Sequence, residues 1–483
     1  MLRVISFGAL ILYFTVLIIA VLREKKNNTV EDFFFAGRTL PFWALSITFI
    51  ASWWGAGAAL STADLAYTDG LDAFWYYGMP VLLATFLMFL LAKAIRKLPF
   101  LTQGKMMEGR YSKAVGKLVS IFIFLFMTFS AAAQMVGVGK FFGQYLGLSY
   151  EVAILLGTGI VIVYSLMGGF RGVVFTDVIQ FVLLLCSAVI VLIVAWRTSG
   201  GWDAIAQAAT AAGKTGYMDF SGGWRRYISY VLTFALAWTI QANVWQRISA
   251  TRTVRDARRM TGTSFLIFIP LYFIAVLAGM AALAIYPSMP EGGVVSAIVR
   301  DYLPPVPGAL VFIGISAAIM STMDSLINTG AMTLTMDVWQ GKGAVAIKRS
   351  RIATGIVSVI ALIIALRIRS ILAVAWIASD VITTGVFVPL IAGFLWRRGN
   401  SRGALSSMVA GLAYTLVHLA VSFGLPMPLP WPLRSTAQTL VGIGLSLVVY
   451  VVVSLLTPPE YERADAFLAA AGRSRRKEAD RSI

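Results

Sequence analysis

The residues best suited to chemistry in this 483-residue chain lie in one apolar stretch, Ala309 to Asp337. Ala318, Ser321, Thr322 and Ser325 recur there at helical spacing and line one face, which Asn328 and Thr329 continue. Asp324 flanks the stripe. Hydroxyl and carbonyl oxygens are what a hard monovalent cation takes as ligands, and neutral oxygens hold it weakly enough to release it. A carboxylate at mid-membrane costs roughly 2.5–3.5 kcal/mol on insertion scales, so such a helix needs a partner for its polar face. The same hydroxyls also suit hydrogen bonds between helices or back to their own helix, and the residues alone leave both readings open.

The elements that would position this face are membrane helices. The chain is 59% hydrophobic and 13% charged, against about 25% charged in soluble domains, and its mean hydropathy is +0.81. The apolar runs are continuous and near 20 residues, which excludes the alternating pattern of a membrane β-barrel. The expected class is therefore an all-α polytopic membrane protein of about thirteen transmembrane helices. The expected spans are 5–22, 41–66, 72–92, 116–146, 151–167, 174–196, 227–246, 261–286, 308–338, 352–366, 370–396, 403–423 and 437–456. The basic cluster Arg23, Lys25 and Lys26 follows the first run, so that run reads as a retained helix rather than a cleaved signal.

The formal charge of +18 sits in short loops between spans, which points to a lipid bilayer and not to nucleic acid. Alternate loops are basic: Arg23–Arg38, Lys93–Lys117, Arg247–Arg259, Lys342–Arg351, Arg397–Arg402 and the tail with Arg473, Arg475 and Arg476. The Tyr67–Asp72 loop carries only acidic charge and Leu425–Leu433 carries none, with Arg225 and Arg226 as exceptions. By the positive-inside rule this predicts a plasma (inner) membrane protein with its N-terminus outside and its C-terminus in the cytoplasm. The residues after Pro459 read as a solvated cytoplasmic tail, with an amphipathic stub (Tyr461, Phe467, Leu468) as the alternative. Cys186 and His418 are each alone in apolar runs and read as packing residues, so neither a thiol metal cluster nor an enzyme's catalytic motif emerges. No Walker A pattern occurs, and ATP is not expected as the driving force. Oligomeric state is open.

The second span contains Ala51-Ser-Trp-Trp-Gly-Ala-Gly-Ala-Ala59, then Ser61, Thr62 and Asp64. Gly55 and Gly57 each weaken a helix by roughly 1 kcal/mol relative to Ala, which suits either an unwound segment with free carbonyls or close helix packing. Further landmarks are Phe33-Phe-Phe-Ala-Gly-Arg-Thr-Leu40 and Tyr164-Ser-Leu-Met-Gly-Gly-Phe-Arg-Gly-Val-Val-Phe-Thr-Asp-Val-Ile-Gln180. Gln246-Arg247, Ala317-Ala-Ile-Met-Ser-Thr322 and Val388-Pro-Leu-Ile-Ala-Gly393 follow. In this order and spacing, from about Phe33 to Met408, the chain resembles the sodium:solute symporter family.

The resemblance implies a LeuT-like core of two inverted five-helix repeats within 41–400, about 41–196 and 227–396. It also implies an N-terminal extra helix and loop (1–40), C-terminal extra helices (401–456) and a tail (457–483). It implies Na⁺-coupled symport of a small organic solute into the cell. The alternatives are a passive channel or facilitator, a proton-coupled symporter of the same fold, and, less supported, a membrane receptor. The implied main sodium site comprises the carbonyls of Ala51, Trp54 and Ala318 with the hydroxyls of Ser321 and Thr322. A second cation site would use Asp177, Ser321, Asp324 and Ser325, where Asp324 departs from the family's usual hydroxyl and a solvated or capping role for Asp177 competes. Solute-site candidates beside the break are Ser52, Trp53, Gly55, Ala56, Trp75, Tyr76, Tyr77, Gln134, Trp238, Gln241, Asn243 and Trp376. Local resemblance to choline transporters makes Trp53 one wall of an aromatic cage, with Gln241 and Leu82 where two further aromatic walls would stand and Trp238 as a geometric substitute. Asp64 is a candidate partner for an amine in the vestibule, and no arginine or lysine is expected inside the pocket.

Overall fold

The computed structural model describes residues 2–23, 34–167, 170–340, 343–422 and 438–472. Lys25 and Lys26, the Leu425–Leu433 connection and the tail arginines Arg473, Arg475 and Arg476 lie outside the described residues.

The described chain is helical throughout, as the continuous apolar runs require. Nine of its helices are long and apolar enough to cross a bilayer, and three shorter apolar helices, Val4–Ile19, Phe42–Ala51 and Tyr150–Leu166, accompany them. Helix length therefore does not return the expected thirteen. The expected span 41–66 is cut in two, and the expected span 227–246 is split into Gly223–Thr239 and Ala242–Ala250.

Helix Pro305–Thr333 is the axis of the molecule. It packs against Lys113–Leu146 and Phe170–Ser199, with Leu2–Arg23 and Gly343–Arg367 beside it. Residues 311–333 are buried without interruption, because neighbouring helices cover every face of this segment. A widened π turn, Leu334–Val338, follows it. There Asp337 accepts hydrogen bonds from Thr102 (2.6 Å) and Ser120 (2.8 Å), tying the helix end to the short connection Gln103–Arg110.

Peripheral helices instead turn apolar side chains outward. Val182, Leu185, Val189 and Ile193 of Phe170–Ser199 are exposed, as are Val441, Leu445, Val448 and Val452 of Gln438–Leu456. Exposed apolar faces of this extent fit lipid rather than water. Cys186 lies on such an outer face, not in the packed interior, while His418 is buried.

Two corrections concern charge. Arg110 and Arg247, read from the sequence as loop cations, are both fully buried. Arg110 donates to the carbonyls of Gly393, Trp396 and Gly399 and so staples two connections together. The chain after Pro459 is not merely a solvated tail: Tyr461–Ala470 is a helix. Its Phe467 is buried against Phe394, and Arg397 forks onto Asp465 at 2.5 and 2.6 Å.

Candidate cation site and central cavity

The first helix break begins where Phe42–Ala51 ends. The backbone N–H groups of Trp53 and Trp54 both reach back to the Ile50 carbonyl, and regular bonding resumes only at Ala59 N–H to Gly55 O. A π turn, Gly57–Ser61, then leads into Thr62–Asp69. The break is crowded: a Cβ on Gly55 would lie 2.2 Å from Gln134 Oε1 and 2.9 Å from Thr322 Oγ. Close approach to its neighbours, in addition to weak helix propensity, is what requires glycine here.

Across this break stands the polar stripe of Pro305–Thr333. The Thr322 hydroxyl lies 2.9 Å from the Ala51 carbonyl and 3.2 Å from the Ala318 carbonyl. Three neutral oxygens from two helices thus converge on one point, with Trp54 buried at the break beside them. Ser321 is turned away from them and donates to Asp177 Oδ1.

Asp177 is neither solvated nor a cap. It is fully buried, and its Oδ2 accepts from Thr48 and lies 3.5 Å from Arg247 Nη2. The same Nη2 donates to Ser325 Oγ at 2.7 Å, while Nη1 donates to the Asn243 carbonyl and Nε to Thr48. Asp324 is also buried and accepts from Ser165. Of the four residues expected to hold a second cation, two therefore face a guanidinium. A fully buried guanidinium needs this density of acceptors, because an unpaired ion in the interior costs several kcal/mol. Its place at the start of the basic loop Arg247–Arg259 disguised Arg247 as a surface residue; only its packing reveals it.

The second break, between Gly223–Thr239 and Ala242–Ala250, was not expected, since no glycine or proline marks it. Its carbonyls are taken by side chains: Gln103 donates to Ile240 O at 2.9 Å and Trp245 to Thr239 O at 2.7 Å. Gln241 has extended backbone at the break and accepts from Trp53 Nε1 at 2.5 Å, so the two breaks meet side chain to side chain.

Between them lies a cavity. Ser52, Trp53, Tyr77, Gln134, Trp238, Gln241 and Thr322 line it, with Ser130, Ala375 and Ser379 opposite. Trp238 packs 5.0 Å from Tyr77 and 6.3 Å from Trp53, giving three aromatic rings on one side. Gln134 also accepts the Ala56 N–H at 2.7 Å, so that donor of the broken helix already has a side-chain partner.

The other expected liners stand elsewhere. Trp75 donates to the Phe220 carbonyl at 2.7 Å, and Trp376 packs on Tyr230 and Phe234, behind the aromatic wall. Gly55 and Ala56 contribute backbone beside the cavity rather than lining. Tyr76 packs on Tyr227 and Tyr230, the Asn243 side chain is buried behind the second break, and Leu82 is not among the liners. Asp64 does not face the cavity either. It accepts the Val294 N–H at 2.8 Å and caps helix Val294–Tyr302.

Comparison with known proteins bears on this arrangement. The family model for the sodium:solute symporter family matches residues 33–411. The chain is 25% identical to a sodium/glucose cotransporter of Vibrio parahaemolyticus over 90% of this chain and 87% of that protein. It is also 25% identical to the osmoregulated proline transporter OpuE of Bacillus subtilis, over 94% of each. A solved Na⁺-coupled sialic acid symporter, described as substrate-bound and outward-open with a novel Na⁺ site, superposes with a TM-score of 0.78 at 19% identity, covering 94% of this chain and 98% of that one. The nucleobase–cation symporter Mhp1 gives 0.60 at 13% identity, covering 92% and 99%. At those identities the superpositions establish the LeuT-like fold, and the matched span of the family model establishes the relationship. The chain is a member of the sodium:solute symporter family, whose coupling ion is Na⁺.

Proposed function

We propose that this protein carries a small organic solute into the cell together with Na⁺ by alternating access. The ion is seated by the carbonyls of Ala51, Trp54 and Ala318 and the hydroxyls of Ser321 and Thr322. The observation that carries the reading is the Thr322 hydroxyl held between the Ala51 and Ala318 carbonyls across the break. A monovalent cation replaces those two hydrogen bonds with ion–oxygen contacts, and Ser321 joins by turning from Asp177. Because the ligands come from two helices, separating the helices dismantles the site and releases the ion.

The solute occupies the cavity beside the ion, where Ser52, Gln134 and Gln241 offer polar atoms and Trp53, Tyr77 and Trp238 offer ring faces. Backbone at Gly55 and Ala56 borders it, and Trp75 and Trp376 act by holding the aromatic wall. Relatives named for glucose and proline support a small organic solute. The chain sits in the inner membrane with its N-terminus outside and its C-terminus inside. The two repeats run from about 41 to 196 and 227 to 396, flanked by 1–40, 401–456 and the tail 457–483. One Na⁺ moving down 100 mV releases ~2.3 kcal/mol, and a tenfold concentration gradient adds about 1.4 kcal/mol. Together these support accumulation of a neutral solute by a few hundredfold.

The test is a thermal-shift panel of amines, amino acids, carboxylates and sugars on the purified protein, with and without Na⁺, followed by uptake of any stabilising solute into vesicles. Stabilisation by a solute that needs Na⁺, and uptake that stops when the sodium gradient is collapsed, are expected. Uptake indifferent to Na⁺ would identify a passive facilitator if it stops at equal concentrations, and a proton-coupled symporter if it stops when the proton gradient is collapsed.

A further inference from the structure

We infer that Asp380 is the centre of a cation site of its own, apart from the Thr322 oxygens, which takes a monovalent cation from solution, H⁺ or Na⁺. The inference goes beyond the proposed sodium symport and does not depend on which solute is carried.

Asp380 sits on helix Ile371–Ile382, where its neighbour Ser379 lines the central cavity. It is the tenth residue of the 25-residue span Ile371–Leu395. At 1.5 Å per residue that places it roughly 14 Å along a helix crossing about 30 Å of hydrocarbon. Its side chain is 0% exposed, and neither carboxyl oxygen meets a donor in hydrogen-bond geometry. The Thr439 hydroxyl beside it is equally buried and equally unpartnered. Tyr414 is the other polar side chain that faces it.

Packing explains why the carboxyl reaches neither water nor an opposite charge. The π turn Thr383–Phe387 follows Ile371–Ile382, and helices Ser401–Ser422 and Gln438–Leu456 press onto that turn. The approach is close: a Cβ on Gly411 would strike the Thr384 carbonyl, and one on Gly442 would lie 2.6 Å from Thr384 Cγ2 and 2.8 Å from Tyr414 Cδ1. The Thr384 hydroxyl is engaged with the Asp380 carbonyl at 2.8 Å and with Thr415 at 2.7 Å, so it does not serve the carboxyl. Of the elements around this point, Ser401–Ser422 contributes Tyr414 and Gln438–Leu456 contributes Thr439. Lys113–Leu146, Gly223–Thr239 and Gly57–Ser61 also pack on Ile371–Ile382. Among the described residues, no lysine, arginine or histidine from any of these elements acts on Asp380.

An ionised carboxylate with neither donor nor counter-charge is strongly disfavoured at that depth. The described chain offers no counter-charge, so a cation from solution completes the group. Both candidates use the same atoms. A proton turns the carboxyl into a donor toward a neighbouring hydroxyl oxygen, whereas Na⁺ takes the carboxyl oxygens and the hydroxyls as ligands. Because Ser379 and Asp380 are consecutive, the bound cation stands directly behind the cavity wall.

The experiment uses the full chain in lipid nanodiscs with two readouts, infrared difference spectra of native against Asp380→Asn protein in K⁺ buffer, and ²²Na⁺ bound per protein at saturation. A proton at Asp380 gives a protonated-carboxyl C=O band that Asp380→Asn loses, with the Na⁺ count unchanged. Sodium at Asp380 gives one fewer bound ion in Asp380→Asn and no lost band, and the difference persists when Thr322→Ala is present in both proteins. Either result upholds the inference. An Asp380→Asn protein that loses neither band nor ion overturns it. Should Asp380→Asn not fold, Thr439→Val decides: a shifted carboxyl band or a several-fold weaker Na⁺ affinity is expected, and neither change overturns the inference. Failure of the sodium-symport reading shows separately, as a Na⁺ affinity that Thr322→Ala leaves unaltered.

Discussion

Replacing Thr322 by alanine removes one oxygen from a point where two carbonyls converge on it, at 2.9 and 3.2 Å. In the sodium-free protein the loss is one buried hydroxyl with its hydrogen bonds, about 1 kcal/mol of stability. In the sodium-bound protein the loss is a ligand to a full charge, and interactions of polar groups with charged ones contribute about 1.5–3 kcal/mol. The difference between the two states, not either alone, sets the change in affinity. It comes to roughly 0.5–2 kcal/mol, or about a 2- to 30-fold weaker Na⁺ affinity. The assay is thermal unfolding in lipid nanodiscs against Na⁺, with K⁺ replacing it to hold ionic strength. Ligand binding stabilises by RT ln(1 + [L]/Kd), so a concentration 100-fold above Kd contributes about 2.7 kcal/mol. The midpoint of the sodium titration should move to higher concentration in Thr322→Ala, and Thr322→Ser, which keeps the oxygen, should stay near native. A Thr322→Ala protein whose sodium midpoint equals the native one would refute the placement of the ion between the broken helix and the polar stripe.

Other consequences are as direct. Gly55→Ala drives a methyl into Gln134 and Thr322, so it should raise the sodium concentration needed for stabilisation and lower the melting temperature in the absence of Na⁺. Trp238→Ala opens the aromatic wall shared with Trp53 and Tyr77. For a cationic solute it should weaken binding by about 0.5–2 kcal/mol per lost ring face, measured as the solute-induced thermal shift. Phe467→Ala removes the buried anchor of Tyr461–Ala470 on Phe394, and amide hydrogen exchange should accelerate over 461–470 with sodium binding unchanged. Arg397→Ala should leave the melting temperature nearly unchanged, because its ion pair with Asp465 is half-exposed; a clear drop would show that the pair does more than tether this helix.

The apolar runs alone determined the class of protein, because a chain this poor in charge can satisfy its backbone in lipid only as helices. The family landmarks pointed to the broken segment beside Thr322, whose hydroxyl meets the Ala51 carbonyl, but not to Ser321 bonding Asp177. Neither pattern could show the second break, since Thr239–Gln241 contains no helix breaker and its polar groups are met by Trp245 of the next helix and by Gln103 and Trp53 from elsewhere in the chain. Nor could it show direction. Trp53 and Trp75 look alike in a list of aromatics, yet one lines the cavity and the other bonds Phe220.

The largest difference concerns charge. Arg247 follows a helix and opens a basic loop, so its sequence neighbourhood describes a surface cation. Its tertiary neighbourhood is Asp177, Ser325 and two backbone carbonyls. Hydrophobic periodicity records which face of a helix is buried. Whether an arginine at its end points into water or into a partner carboxylate 70 residues away in sequence depends on long-range packing that no local pattern encodes.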